Sequence, residues 1–225
     1  MFKAKRHVQF GLRPLSLITI AVLVAPELTY AQSFRAWTHS PSITVVAEEQ
    51  DPRIAFVEEA VTFWNKTLEQ IGSGFQLGEI TIVNRPIPEE DLQQLSSWVV
   101  NPQGHSRPAA PASLLAVRGD LIIYLAQSQF VSFASWFSDG RRIIGIRETT
   151  SAPLNQPNVA RNIIAHEIGH TIGLGHNADP TLLMCGPPAT CRPGEFRSSE
   201  PRILPVSDEE KQRLLKMYPP NWRPR

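Results

Sequence analysis

Residues 166 to 176 read HEIGHTIGLGH, and the fold follows from how this stretch is placed. His166 and His170 are four residues apart, so on an α-helix they differ by about 40° and about one turn, and both imidazoles can meet one ion. A straight helix would carry His176 about 15 Å along the axis from His166, whereas nitrogens sharing a zinc ion at about 2.1 Å must lie within roughly 4 Å of one another. The helix must therefore end before His176. Gly173 is where it can, because glycine takes the left-handed conformation that reverses a chain at little cost. Three neutral imidazoles leave a fourth zinc position for water, the open coordination of a catalytic site rather than a structural one. Glu167, rotated by about 100° from the first ligand, would stand beside the metal as a general base. The expected cofactor is one catalytic Zn2+ on His166, His170 and His176, and the expected reaction is amide hydrolysis by water that the zinc acidifies and Glu167 deprotonates.

Outward from this stretch, Asn158 is expected to cap the helix, which runs to Thr171 or Ile172. Val159 and Ile163 fall on one side of it and Ile164, Ile168 and Ile172 on the other, so the helix should be central and buried nearly all round. Toward the N-terminus, residues 42 to 48 (SITVVAE) read as a strand. Asp51-Pro52 then offers an N-cap with proline at the first helical position, followed by Ile54, Val57, Val61, Trp64, Leu68 and Ile71 at helical spacing. Gly72 and Gly74 should end that helix, and residues 79 to 84 (EITIVN) read as a second strand, parallel to the first by its connection through a helix. Residues 85 to 118 carry five prolines and read as a surface excursion with one short helix over 89 to 99. Strands are expected over 120 to 125 (DLIIYL) and 142 to 147 (RIIGIR), with Phe130, Phe133, Trp136 and Phe137 as core beneath the loop between them. Ser207 and Glu210 form a capping box for a last helix with Leu214, Leu215 and Tyr218, stopped by Pro219-Pro220.

The composition bounds the rest. The chain has 225 residues, 42% of them hydrophobic, which excludes disorder and suits one domain. A net charge of +1 offers no field to recruit nucleic acid or an anionic membrane. Lys3, Lys5, Arg6 and Arg13 precede an apolar run from Leu15 to Ala25 and a small-residue end at Ala31, the layout of a secretory signal peptide. That run is shorter than the roughly 18 to 20 residues a spanning helix needs. Residues 1 to 31 are thus read as a signal and 32 to 225 as the catalytic domain, which carries a charge of about −2 without the segment's basic residues. Export to a secreted or periplasmic location makes a disulfide the default state of Cys185 and Cys191, although metal ligation stays open for such a pair. His39 and His105 lack partner spacing and read as solvated loop histidines.

The motif resembles the extended zinc signature of the metzincin metallopeptidases. Met184 follows the third histidine by eight residues within NADPTLLM, a spacing most similar to the matrixin branch, where a methionine turn lies beneath the metal; in isolation it would equally suit a core methionine. The resemblance reaches back through NVARNIIA and forward to SDEEKQRLLKMY at 207 to 218. It implies an α+β domain: a mixed twisted sheet, an active-site helix and a small irregular C-terminal subdomain. It further implies that strand 142 to 147 is an edge strand pairing with an extended protein or peptide substrate near Gly145. The loop from Cys185 to Cys191 would wall a substrate side-chain pocket, or simply staple the surface. No cysteine precedes Cys185, so a cysteine latch on the zinc is not expected, and no His and Asp cluster for a second zinc or calcium is recognisable between 119 and 147. Asn177 and Cys185 also differ from the usual matrixin residues. The expected protein is an exported, monomeric zinc endopeptidase, broad or narrow in specificity; its rival is a non-catalytic zinc-bearing binding module.

Overall fold

The computed structural model describes residues 35–101, 109–152, 154–187, 189, 191, 198 and 200–225. The expected signal segment and His105 lie outside these residues. The elements run β1 (Ile43–Ala47), α1 (Arg53–Gln70), β2 (Ile80–Asn84), α2 (Glu89–Val100), α3 (Ala112–Leu115), β3 (Leu121–Leu125), β4 (Phe133–Trp136), β5 (Arg142–Ile146), α4 (Pro157–Thr171) and α5 (Asp208–Met217). One five-stranded sheet has the order β2-β1-β3-β5-β4. All neighbours are parallel except β4, which runs antiparallel to β5. The fold class is α+β with a mixed sheet, as expected.

Every residue of β1, β3 and β5 is buried, which is why these strands read as unbroken apolar runs rather than alternating ones. The period of two still decides which core each side chain enters. Ile43, Val45, Leu121, Ile123 and Ile144 join the larger core with Trp64 and Leu68 of α1, Ile164 and Ile168 of α4 and Leu214 of α5. Val46, Ile122, Tyr124 and Ile143 point the other way, into a smaller core with Leu92 and Leu95 of α2 and Leu114 of α3. Helix α4 is buried along most of its length, as its two apolar sides require.

Three expectations need correction. Strand β5 is not an edge: it lies between β3 and β4, and Phe133 of β4 pairs with Gly145. A β-carbon on Gly145 would sit 2.5 Å from the Phe133 ring, so the missing side chain is what lets β4 dock there and take the edge position. The Phe133–Trp136 segment is accordingly a strand, although its aromatics are core as expected.

The other two corrections concern helix starts. Asn158 does not cap α4, because Pro157, with its preset φ, begins the helix one residue earlier and Gln156 stands at the N-cap without a side-chain bond. Asn158 is instead buried, donating to the Ser198 and Glu200 carbonyls and accepting from Arg202 N–H, so it ties the later chain to α4. Helix α1 begins at Arg53, not Pro52. Asp51 accepts from Arg53 N–H at 2.8 Å and pairs with its guanidinium, which also donates to the Ala126 and Arg147 carbonyls at the ends of β3 and β5. The Ser207–Glu210 capping box is present, and Tyr218 is the residue at which α5 ends.

Candidate metal centre

Helix α4 carries His166 and His170 on its last turns and then stops by a defined hydrogen-bond pattern. Gly173 N–H donates to the His170 carbonyl at 2.9 Å and Leu174 N–H to the Gly169 carbonyl at 3.1 Å, with Gly173 at φ +105°. These are the two bonds of a Schellman turn, and only glycine takes that φ freely. The reversal returns the chain so that His176 Nε2 faces His170 Nε2 at 3.1 Å. One donor atom from each of His166, His170 and His176 lies within 4.8 Å of the others, the only such group of three or more His, Cys, Asp or Glu among the described residues.

The ring hydrogen bonds select the form of each imidazole. His166 Nδ1–H donates to the Leu183 carbonyl at 2.8 Å and His170 Nδ1–H to the Leu174 carbonyl at 2.9 Å. A carbonyl can only accept, so Nδ1 carries the proton and each Nε2 keeps a lone pair directed at the shared point. His176 makes a backbone hydrogen bond with Pro187, which has no N–H and also only accepts. Burial holds His166 down to about 4, His170 well below its ordinary value and His176 below it as well. All three are neutral at pH 7, the form that coordinates a metal. Three neutral nitrogen donors, two of them on rings held by backbone carbonyls, suit zinc.

Neighbours without ligating atoms shape the same site. Met184 is fully buried, and a β-carbon on Gly169, between His166 and His170, would stand 2.5 Å from its sulfur and 2.8 Å from the Trp64 ring. Met184 thus packs under the turn of α4 that carries His166 and His170, against a glycine whose bareness makes room. A β-carbon on Gly186 would lie 2.2 to 2.5 Å from the His176 ring, so that imidazole rests on the Gly186 backbone. Two backbone bonds, Asn177 N–H to Met184 O at 2.9 Å and Gly186 N–H to Asn177 O at 3.1 Å, close the segment between the third histidine and the methionine. Asn177 Nδ2 also donates to Glu210 Oε1 at 2.7 Å, joining this segment to α5. Neither glycine contact nor the Asn177 link was expected. Met184 and Cys185 were legible as a spacing, whereas these contacts depend on which surfaces meet.

Against known proteins, the chain matches no family profile and no curated protein. Among solved structures it is similar to archaemetzincin from Methanopyrus kandleri, at 14% identity and TM-score 0.45 over 80% of this chain and 96% of that one. It is also similar to metalloproteinase-II from Bacteroides fragilis, at 16% identity and TM-score 0.45 over 82% of this chain and 54% of that one. Myroilysin aligns at 10% identity and TM-score 0.41, over 84% of this chain and 88% of that one.

Glu167 is buried and lines, together with His166, a cavity of about 290 Å³. Val131 and Ser132 ahead of β4, Leu183 and both cysteines also line it. Burial pushes the Glu167 carboxyl up to about 8, a shift that a neighbouring cation would oppose by favouring the carboxylate. Cys185 and Cys191 form a disulfide with their Cα atoms 5.7 Å apart. His39, expected to be a solvated loop residue, is half-exposed and has a partner: its Nε2 lies 3.2 Å from Asp120 Oδ1.

Proposed function

We propose that this chain is a zinc-dependent metalloendopeptidase of the metzincin type. The observation that carries the reading is the convergence of three neutral imidazoles on one point, with a buried carboxylate from the same helix turn opening into the adjoining cavity. A zinc ion held there would supply a Lewis acid that polarises a carbonyl and lowers the pKa of coordinated water to about 7. His166, His170 and His176 would hold the ion through Nε2, with the Leu183 and Leu174 carbonyls fixing the first two rings. Glu167 would take the proton of the attacking water on its carboxylate and pass it to the leaving amine, shielded by burial from bulk solvent. Strand β4, which ends the sheet, would lie beside an extended peptide in the role expected of β5.

The matrixin affinity is supported by the eight-residue spacing to Met184 and by its packing under α4. Export is supported by the layout of residues 1 to 31 and by the Cys185–Cys191 disulfide. No helix among the described residues is long and apolar enough to cross a membrane. A protein or peptide substrate, one zinc ion and a monomeric chain complete the reading. The buried Glu167 favours an enzyme over a zinc-bearing binding module, which would have no use for a base beside the ion. A strong chelator should abolish cleavage of a diverse peptide library by the 32–225 chain, and zinc should restore it. Cleavage that survives full zinc removal would refute the reading, and a zinc-loaded chain that cuts no library member would support the binding module.

A further inference from the structure

The cavity beside Glu167 has mostly apolar walls and one cationic side chain, Arg147. Its walls include Leu154, Ile163, Leu182, Leu183 and Leu204, and Arg147 enters from the end of β5. The Arg147 backbone is held on both sides: its N–H donates to Ser132 Oγ at 3.2 Å, and its carbonyl accepts from Arg53 Nη1 at 2.8 Å. Its Nε is buried with no hydrogen-bond partner among the described residues.

The carboxylate next in the chain, Glu148, feels the Arg147 charge but makes its hydrogen bonds elsewhere. Glu148 Oε2 accepts from Thr150 N–H at 2.6 Å and from its hydroxyl, and Oε1 accepts from Ser151 Oγ at 3.1 Å. Asn162, the cavity's amide, is also saturated, donating to the Asn158 and Arg202 carbonyls and accepting from Leu204 N–H. A buried N–H without an acceptor is unfavourable, and a carboxylate is the acceptor that a guanidinium binds in parallel, two-bond geometry.

We propose that Arg147 recognises a carboxylate on the peptide substrate, carried by the residue that enters this cavity next to His166 and Glu167. The proposal rests on the peptidase reading. The carboxylate is either an acidic side chain or the free C-terminus of a peptide cut near its end, and both present the same chemistry to the guanidinium.

The test uses the zinc-loaded 32–225 chain with peptide pairs that differ by Glu against Gln at each position around the cut, each made as free acid and as amide. The unaltered chain should favour one carboxylate-bearing member by about tenfold or more in kcat/KM, roughly 1.4 kcal/mol. Preference within the Glu and Gln pair identifies a side chain, and preference within the acid and amide pair identifies a terminus. Arg147→Gln should bring that ratio to about one, Arg147→Lys should keep part of it, and Arg147→Glu should shift preference toward a Lys peptide. A merely structural role would not invert with charge. Absence of any carboxylate preference, or a ratio unchanged in Arg147→Gln, would overturn the proposal. If no peptide is cleaved, the peptidase reading fails separately and calorimetry on zinc-loaded Glu167→Ala decides. Tighter binding of the carboxylate peptide that is lost on adding Arg147→Gln supports the proposal, and equal binding overturns it.

Discussion

A methyl group on Gly186 would collide with the His176 imidazole at 2.2 to 2.5 Å, against backbone that cannot move far, because Gly186 N–H is bonded to Asn177. Gly186→Ala should therefore displace the third ligand and weaken zinc binding by at least about tenfold, roughly 1.4 kcal/mol, measured by competition with a chromogenic chelator. Gly72→Ala is the control: Gly72 has φ +75° with nothing within 4 Å of an added β-carbon, so it should cost about 1 kcal/mol of stability and leave zinc affinity alone. Equal zinc affinity in both variants would contradict the contact. At this scale the clustering of the three histidines was legible, because four residues on a helix and a glycine stop have geometric consequences. Gly186, Gly169 and Arg147 were not, since their roles come from partners distant in sequence. Phe133 against Gly145 is a further example: the glycine was visible in RIIGIR, but the ring that fills its place was not.

Elements show where local signals suffice and where they fail. The capping box at Ser207 and Glu210 was legible because both partners lie within four residues, and Glu210 Oε2 does accept from Ser207 N–H at 2.8 Å. Glu210 Oε1 takes the Asn177 amide as well, so Glu210→Ala removes two bonds from a buried carboxylate. It should destabilise the chain by about 2 kcal/mol in urea unfolding, against about 1 for Ser207→Ala, and a smaller loss than for Ser207→Ala would count against the link to α5. Strand β4 was missed because four aromatic and small residues, buried on both faces, carry no clean alternation; only pairing with β5 makes them a strand. Pro157 outweighed Asn158 at the start of α4 for the reason that a preset φ acts before any side-chain bond forms. The Cys185–Cys191 bridge closes a short loop on the cavity wall. Replacing both cysteines with serine should cost about 2 kcal/mol and broaden cleavage preference while zinc stays bound. An unchanged cleavage profile would make the bridge a surface staple.

For the whole molecule, parallel β-α-β order and two apolar faces per strand were readable as buried runs joined by a helix, and they position α4 beneath the sheet. The strand order was not readable, because which strand ends the sheet depends on where β4 pairs. Segments far apart in the chain also meet: Trp37 N–H donates to the Tyr218 hydroxyl and Arg225 N–H to the Thr38 carbonyl. Burial pushes the Tyr124 hydroxyl up to about 12 and raises that of Tyr218. From about pH 10 an unfolded chain would lose these protons while the folded one keeps them, so stability is full below pH 10 and falls as pH rises toward 12. Tyr124→Phe should make that alkaline fall shallower in pH-dependent melting, and an identical slope would contradict the assignment.

In the proposed site three histidines hold one zinc ion while Glu167 acts beside it without binding it. Metal content and peptide cleavage, measured side by side on the 32–225 chain and its Glu167→Ala variant, test this most directly. One zinc per chain is expected in both proteins, with a loss of cleavage of at least about a hundredfold in the variant. Cleavage within a few-fold of the unaltered chain, or loss of zinc from the variant, would contradict it.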